Sequence, residues 1–120
     1  MVNNTVPVYM AGTQGHVFFC LHGAGSSALS FAPLAESLKA TSTVVSFDFR
    51  GHGGHSRPDE NNLSVDALVQ DTLEVLEYVR SKLPDRSIVL LGHAMGGAIA
   101  VRTLGYIERE LAGSDLAKSI

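Results

Sequence analysis

Tryptophan is absent from this 120-residue chain, and cysteine occurs once. That thiol, Cys20, lies inside the apolar run VFFCL and has no disulfide partner within the chain, which points to a reducing compartment, the cytoplasm or the nucleus. An excess of positive charge is missing too. Nine Lys and Arg stand against twelve Asp and Glu, for a net charge of −3. With no basic run or stripe to neutralise phosphates, nucleic acid is not expected as a partner. No apolar run approaches the ~20 residues of a membrane span, so no membrane partner is expected either. The opening MVNNTVPVYM has no basic stretch followed by a long apolar core, which argues against a secretory signal. Repeats, low-complexity tracts and Pro/Ser-rich linkers are also lacking, so no domain boundary is visible.

What is present suits one modest globular domain, 45% hydrophobic and 18% charged. Residues 6–10 read as a short strand, with the glycines of residues 11–15 as a hairpin loop behind it. VFFCL (17–21), TVVSFDF (43–49) and SIVLL (87–91) read as buried strands. Between the first two of these, Ser30 is placed to cap a helix with the stripe Phe31, Leu34, Ala35 and Leu38, and Pro33 falls in its first turn. Residues 50–62 are glycine-rich and polar, a loop. A longer helix follows, capped by Ser64, with Leu63 stapled onto Leu68 and a face of Leu68, Val69, Leu76, Val79 and Leu83. Its acids Asp66, Asp71, Glu74 and Glu77 are expected on a solvated face. Pro84 ends it. A last helix runs from Met95 to about Glu110, and residues 113–120 are expected to begin a strand. Apolar strands alternating with helices require a parallel sheet covered on both faces, hence a doubly wound α/β fold.

Two glycine-rich loops close strands in this plan, and open α/β sheets bind ligands at such strand ends. LLGHAMGG (90–97) has the spacing of a nucleophile elbow, G-x-S-x-G, in which a strand turns sharply into a helix and lifts one side chain. The tip residue is Ala94, which has no nucleophilic atom. HGAGSSA (22–28) is the other loop, and two readings compete for it. In the first, Gly23, Gly25 and Ala28 form a G-x-G-x-x-A dinucleotide fingerprint and Asp48 takes a ribose hydroxyl of NAD(P). That leaves GHAMGG unexplained. In the second, acyl transfer, backbone amides of Ala24 and Met95 form an oxyanion hole. His22, Gly23, Gly25, Gly92, His93, Gly96 and Gly97 then shape the two loops. The second reading uses both loops in the right order and is preferred.

VYMAGTQGHVFFCLHGAGSSALSFAPLAESL, VSFDFRGHGGHS, LSVDALVQD and LLGHAMGGAIAVRT together resemble the protein phosphatase methylesterase family, across residues 8–103. The resemblance implies an α/β-hydrolase fold. It also implies hydrolysis of the methyl ester on the C-terminal leucine of the type 2A phosphatase catalytic subunit, with that subunit as partner and no cofactor or metal. Two departures stand out. Ala94 occupies the family's serine position. The family's acid and histidine lie beyond later strands, so residues 1–120 read as a single partial domain that stops before them. This copy is therefore expected to be inactive on both counts. The alternative is a non-catalytic α/β-hydrolase-like binding protein.

The remaining polar residues have plainer expectations. His22 and His93 read as hydrogen-bonded structural histidines rather than bases. His52 and His55, with Asp48, lack a convincing third metal ligand. Asp48 and Arg50 are expected to tie down the loop after their strand, and Cys20 to be a packed core thiol.

Overall fold

Strands buried on both faces need neighbours on both sides and helices above and below. A computed structural model, which describes residues 7–50 and 64–120, has that arrangement. Its sheet runs β1 (Val8–Ala11), β3 (Thr43–Phe47), β2 (Val17–Leu21), β4 (Ile88–Gly92) in spatial order. β2 pairs parallel with both β3 and β4, and β1 lies antiparallel on β3. The mostly parallel, doubly wound sheet expected from the sequence is thus present.

The strand period of two divides the core. Val17, Phe19 and Leu21 of β2 join Val45 and Phe47 of β3 in the larger cluster, under α2 (Val65–Lys82), α3 (Met95–Glu110) and Leu116. On the opposite face Cys20 and Val44 meet Phe31, with Leu34, Ala35 and Leu38 of α1 (Ala32–Leu38) packed against them. The α2 stripe buries Leu68, Val69, Leu76 and Val79 as its spacing predicts. Ser64 caps it, its hydroxyl accepting from the Ala67 amide at 3.2 Å. Leu63, and the loop expected beyond Arg50, lie outside the described residues.

Four expectations need correction. Residues 11–15 do not close a hairpin, because β3 lies between β1 and β2. All five residues of β3 are buried and suit the interior of a sheet, whereas β1, with Tyr9 and Met10 exposed, suits its edge. Ser30 is not the helix cap. Ser27 caps a 3₁₀ turn (Ala28–Phe31) that leads into α1, and the Ser30 hydroxyl donates to the Ser27 carbonyl. Residues 113–120 contain a short helix, α4 (Asp115–Ser119), instead of a strand. Ser114 accepts from the Ala117 amide at 3.1 Å, Asp115 sits in the first turn, and Leu116 is fully buried, so cap and core contact act together. Finally, Asp71 is buried and not on the solvated face with Asp66, Glu74 and Glu77.

Candidate active site

β4 stops at Gly92 and α3 starts at Met95, leaving only His93 and Ala94 to reverse the chain. Ala94 does this at φ 53°, ψ −116°, a conformation that L-residues rarely adopt and that costs about 1–3 kcal/mol. The surrounding bonds hold it there. The His93 amide donates to the Leu21 carbonyl at 3.0 Å, and the Gly97 amide to the Ala94 carbonyl at 2.9 Å. Close approach is what demands glycine here. A Cβ on Gly96 would collide with the backbone carbonyl of Leu21, and one on Gly92 would lie 2.5 Å from the Gly97 Cα. Gly97 is different, since a Cβ there would only touch the Gly92 carbonyl at 3.6 Å. The methyl of Ala94 stands exposed at the tip.

The loop after β2 meets this turn. A Cβ on Gly23 would lie 3.5 Å from the Ala94 Cβ and 3.2 Å from His93 Nδ1, so the two glycine loops lie side by side at the elbow. Ala24 projects beyond them, exposed, and Met95 is half-buried at the start of α3. No described group accepts from either backbone amide. His22 is fully buried and fully committed. Nε2 accepts from the Phe49 amide at 3.0 Å, so the proton sits on Nδ1, which donates to the Gly23 carbonyl at 2.7 Å. Its edge also packs on the Phe49 ring, 4.8 Å between centroids. A ring held this way is neutral and structural, as the sequence predicts, and it anchors the loop that carries Ala24.

Asp48 and Arg50 extend the anchoring. The Asp48 carboxylate, 4% exposed, accepts from the Ala28 amide at 2.7 Å and ties the 3₁₀ turn to the end of β3. This leaves it little face to offer a ribose, which weakens the dinucleotide reading of Gly23, Gly25 and Ala28. Asp48 also faces Tyr9. Burial, then the Asp48 charge and the hydrogen bond to it, raise the phenol's pKa above the usual tyrosine value. Arg50 makes a two-pronged pair with Asp71, Nε to Oδ2 at 2.8 Å and a terminal nitrogen to Oδ1 at 2.8 Å. The tie observed is thus to α2, and the loop after the strand, which Asp48 and Arg50 are expected to hold, lies outside the described residues. Sequence reasoning missed Asp71, although its position three residues after Leu68 is a readable sign that it shares the buried stripe. Burial pushes the Cys20 thiol up to about 11, so it is a neutral core group and no nucleophile. His52 and His55 lie outside the described residues. A concavity of about 490 Å³ lies beside Arg80, Arg86 and Lys118, near Ser87 at the opposite end of β4 from the elbow.

The family model described as "Alpha/beta hydrolase family" matches residues 18–118, which span both loops. The chain belongs to this family. Among curated relatives it is similar to protein phosphatase methylesterase 1 of Bos taurus, 39% identical over 102 residues, covering 83% of this chain and 27% of the relative. The protein of that name from Candida albicans is 43% identical over 89 residues, covering 73% and 24%. The chain thus spans about a quarter of the length of the curated relatives it matches. Among solved structures, an epoxide hydrolase from Vigna radiata superposes with a TM-score of 0.73 at 20% identity, covering 86% of this chain and 32% of that one. A marine microorganism esterase gives 0.71 at 25% identity, covering 86% and 37%. These structures place the chain within the alpha/beta hydrolase fold, and the methylesterase resemblance noted from the motifs stands. Among the described residues no helix is long and apolar enough to cross a membrane.

Proposed function

We propose that this alpha/beta hydrolase chain carries the elbow and oxyanion loop of a carboxylic-ester hydrolase of the protein phosphatase methylesterase type, in a form that holds an ester without cleaving it. The carrying observation is Ala94, strained at the tip of an otherwise complete elbow and beside the Gly23 loop. The amides of Ala24 and Met95 are the donors for a carbonyl oxygen, and backbone donors do not depend on the residue at the tip. A methyl group cannot form an acyl-enzyme, and His22 has no free nitrogen to act as a base. The resemblance to methylesterases supports a leucine methyl ester at a protein C-terminus as the ligand. It supports the type 2A phosphatase catalytic subunit as partner, in the cytoplasm or nucleus. Ala94 equally suits a binding protein without catalysis, and turnover separates the two uses of the site.

The chain is expected to release no nitrophenol from a p-nitrophenyl ester above a matched blank. Ala94→Ser alone is expected to stay at the blank, because a serine without a base is a poor nucleophile. A burst from Ala94→Ser would reveal a base near the tip and overturn the claim of a site that only binds. A peptide ending in leucine methyl ester should bind the native chain in calorimetry with no methanol released. Saturable NAD or NADP binding in its place would favour the dinucleotide reading.

A further inference from the structure

The loop that carries Ala24 is fastened at both of its ends to the residues that follow β3. At its start, His22 accepts from the Phe49 amide and donates to the Gly23 carbonyl. At its far end, the buried Ala28 amide donates to Asp48 Oδ1 at 2.7 Å. Between these ties the chain makes one tight turn. The Ser26 amide donates to the Gly23 carbonyl at 3.1 Å, and Gly25 takes φ 76° in the third position of that turn. Ala24 is its second residue, so the direction of the Ala24 amide depends on where Gly23 and Ala28 are held. Tyr9 joins this frame from outside it. It lies opposite Ser46 on edge strand β1, and the strand period of two puts Ser46 and Asp48 on one face of the chain. From there the Tyr9 phenol donates to the Asp48 carboxylate. The acid is 4% exposed and Tyr9 is 39% exposed, so the hydroxyl reaches inward from a partly solvated ring.

We propose that Tyr9 and Asp48 are positioning residues for the oxyanion donor at Ala24, a role that rests on the ester reading of the site. An amide aimed at a carbonyl oxygen has to be held to within about 0.5 Å before the ligand arrives, and a glycine-rich turn does not hold itself. Asp48 supplies the fixed point. Hydrogen bonds to an ionised acceptor are roughly twice as strong as neutral ones, and this acceptor is shielded from water. The Tyr9 hydroxyl is a further donor to the same carboxylate, and it keeps the side chain in the rotamer that meets the Ala28 amide. Through Tyr9, the edge strand β1 takes part in a site formed at the ends of β2 and β4.

Two measurements on the 120-residue chain test this: hydrogen exchange read by mass spectrometry, and calorimetry with a peptide ending in leucine methyl ester. Asp48→Ala should speed exchange across residues 22–29 by about tenfold and leave β2 and β4 unchanged. It should weaken the peptide by about tenfold as well. Asp48→Asn keeps an oxygen for the Ala28 amide and should restore most of both losses. Tyr9→Phe removes one hydroxyl and keeps the ring, so it reports even where Asp48→Ala does not fold. It should weaken the peptide by about threefold. Ile107→Val trims the buried core in the distant half of α3 and should leave the affinity as it is, which separates positioning from a loss of stability. Exchange that rises alike in every segment would overturn the proposal. So would peptide affinity indifferent to Asp48→Ala and Tyr9→Phe, or an Asp48→Asn chain no better than Asp48→Ala. A native chain that does not bind the peptide would overturn the ester reading instead, and the exchange pattern would still decide whether Tyr9 and Asp48 hold the loop.

Discussion

Ala94 and Gly96 make opposite demands on the same turn. Ala94 bears a side chain where the backbone prefers none, and the left-handed geometry persists because His93, Gly97 and Ala98 bond across it. Gly96 bears none where the Leu21 carbonyl leaves no room. Gly97 looks equivalent in GHAMGG but has ordinary van der Waals space. Gly96→Ala is therefore expected to cost several kcal/mol, because α3 must shift away from β2 to admit one methyl. Gly97→Ala, in the first turn of α3, is expected to be neutral or to stabilise by about 0.5–1 kcal/mol. Urea melts of the two variants check this directly. Equal destabilisation would mean that helix dipeptide context, not the Leu21 carbonyl, dictates the glycine pair.

Among the elements, legibility followed locality. β2 and α2 announce themselves through short-range patterns, VFFCL and the spacing of Leu68, Val69, Leu76 and Val79, and both appear where those patterns put them. Ala94, Gly92 and Gly96 were readable for the same reason, since the elbow is a strand end, a turn and a helix start contiguous in sequence. The insertion of β3 between β1 and β2 was not readable. It depends on which strands can tolerate an edge, a comparison across distant segments, and a glycine loop looks the same whether or not it closes a hairpin. α4 was missed because Ser114 and Leu116 act through a cap and a long-range core contact, too few residues for a period. Asp71 was missed because an acid on a helix is usually solvated, and its partner Arg50 sits 21 residues away on another element. That pair joins the end of β3 to α2, with side chains 16% and 9% exposed. Asp71→Ala should remove the two-pronged carboxylate partner of the Arg50 guanidinium in a largely dry setting, at a cost of about 3 kcal/mol. Asp71→Ala with Arg50→Met should recover much of that loss in a denaturation series, since both charges of the pair are then gone. If the single variant is as stable as the native chain, the pair contributes only surface electrostatics.

At the scale of the whole molecule, the two edges of the sheet are unequal. β1 is short, antiparallel and half-exposed, which is how natural edges limit pairing. β4, IVLLG, pairs with β2 on one side, and among the described residues no strand covers the other. It has no lysine, proline or bulge, and Val89 is 42% exposed on the face shared with Phe18. On α3, Val101 is 70% and Leu104 38% exposed, so apolar surface on the neighbouring helix adds to an unprotected edge. Unpaired strand amides and carbonyls beside such surface form a template for a second strand, and two copies of β4 can satisfy each other. The 120-residue chain is therefore expected to self-associate through β4. Light scattering should give a mass above that of the monomer that rises with concentration. Val89→Lys places a charge on the exposed face of β4 without entering the core, and it should return the chain to a monomer with its helical circular dichroism intact. A native chain that is monodisperse and monomeric, with a sharp melt, would show that β4 tolerates solvent and that these 120 residues are stable without any strand beside it.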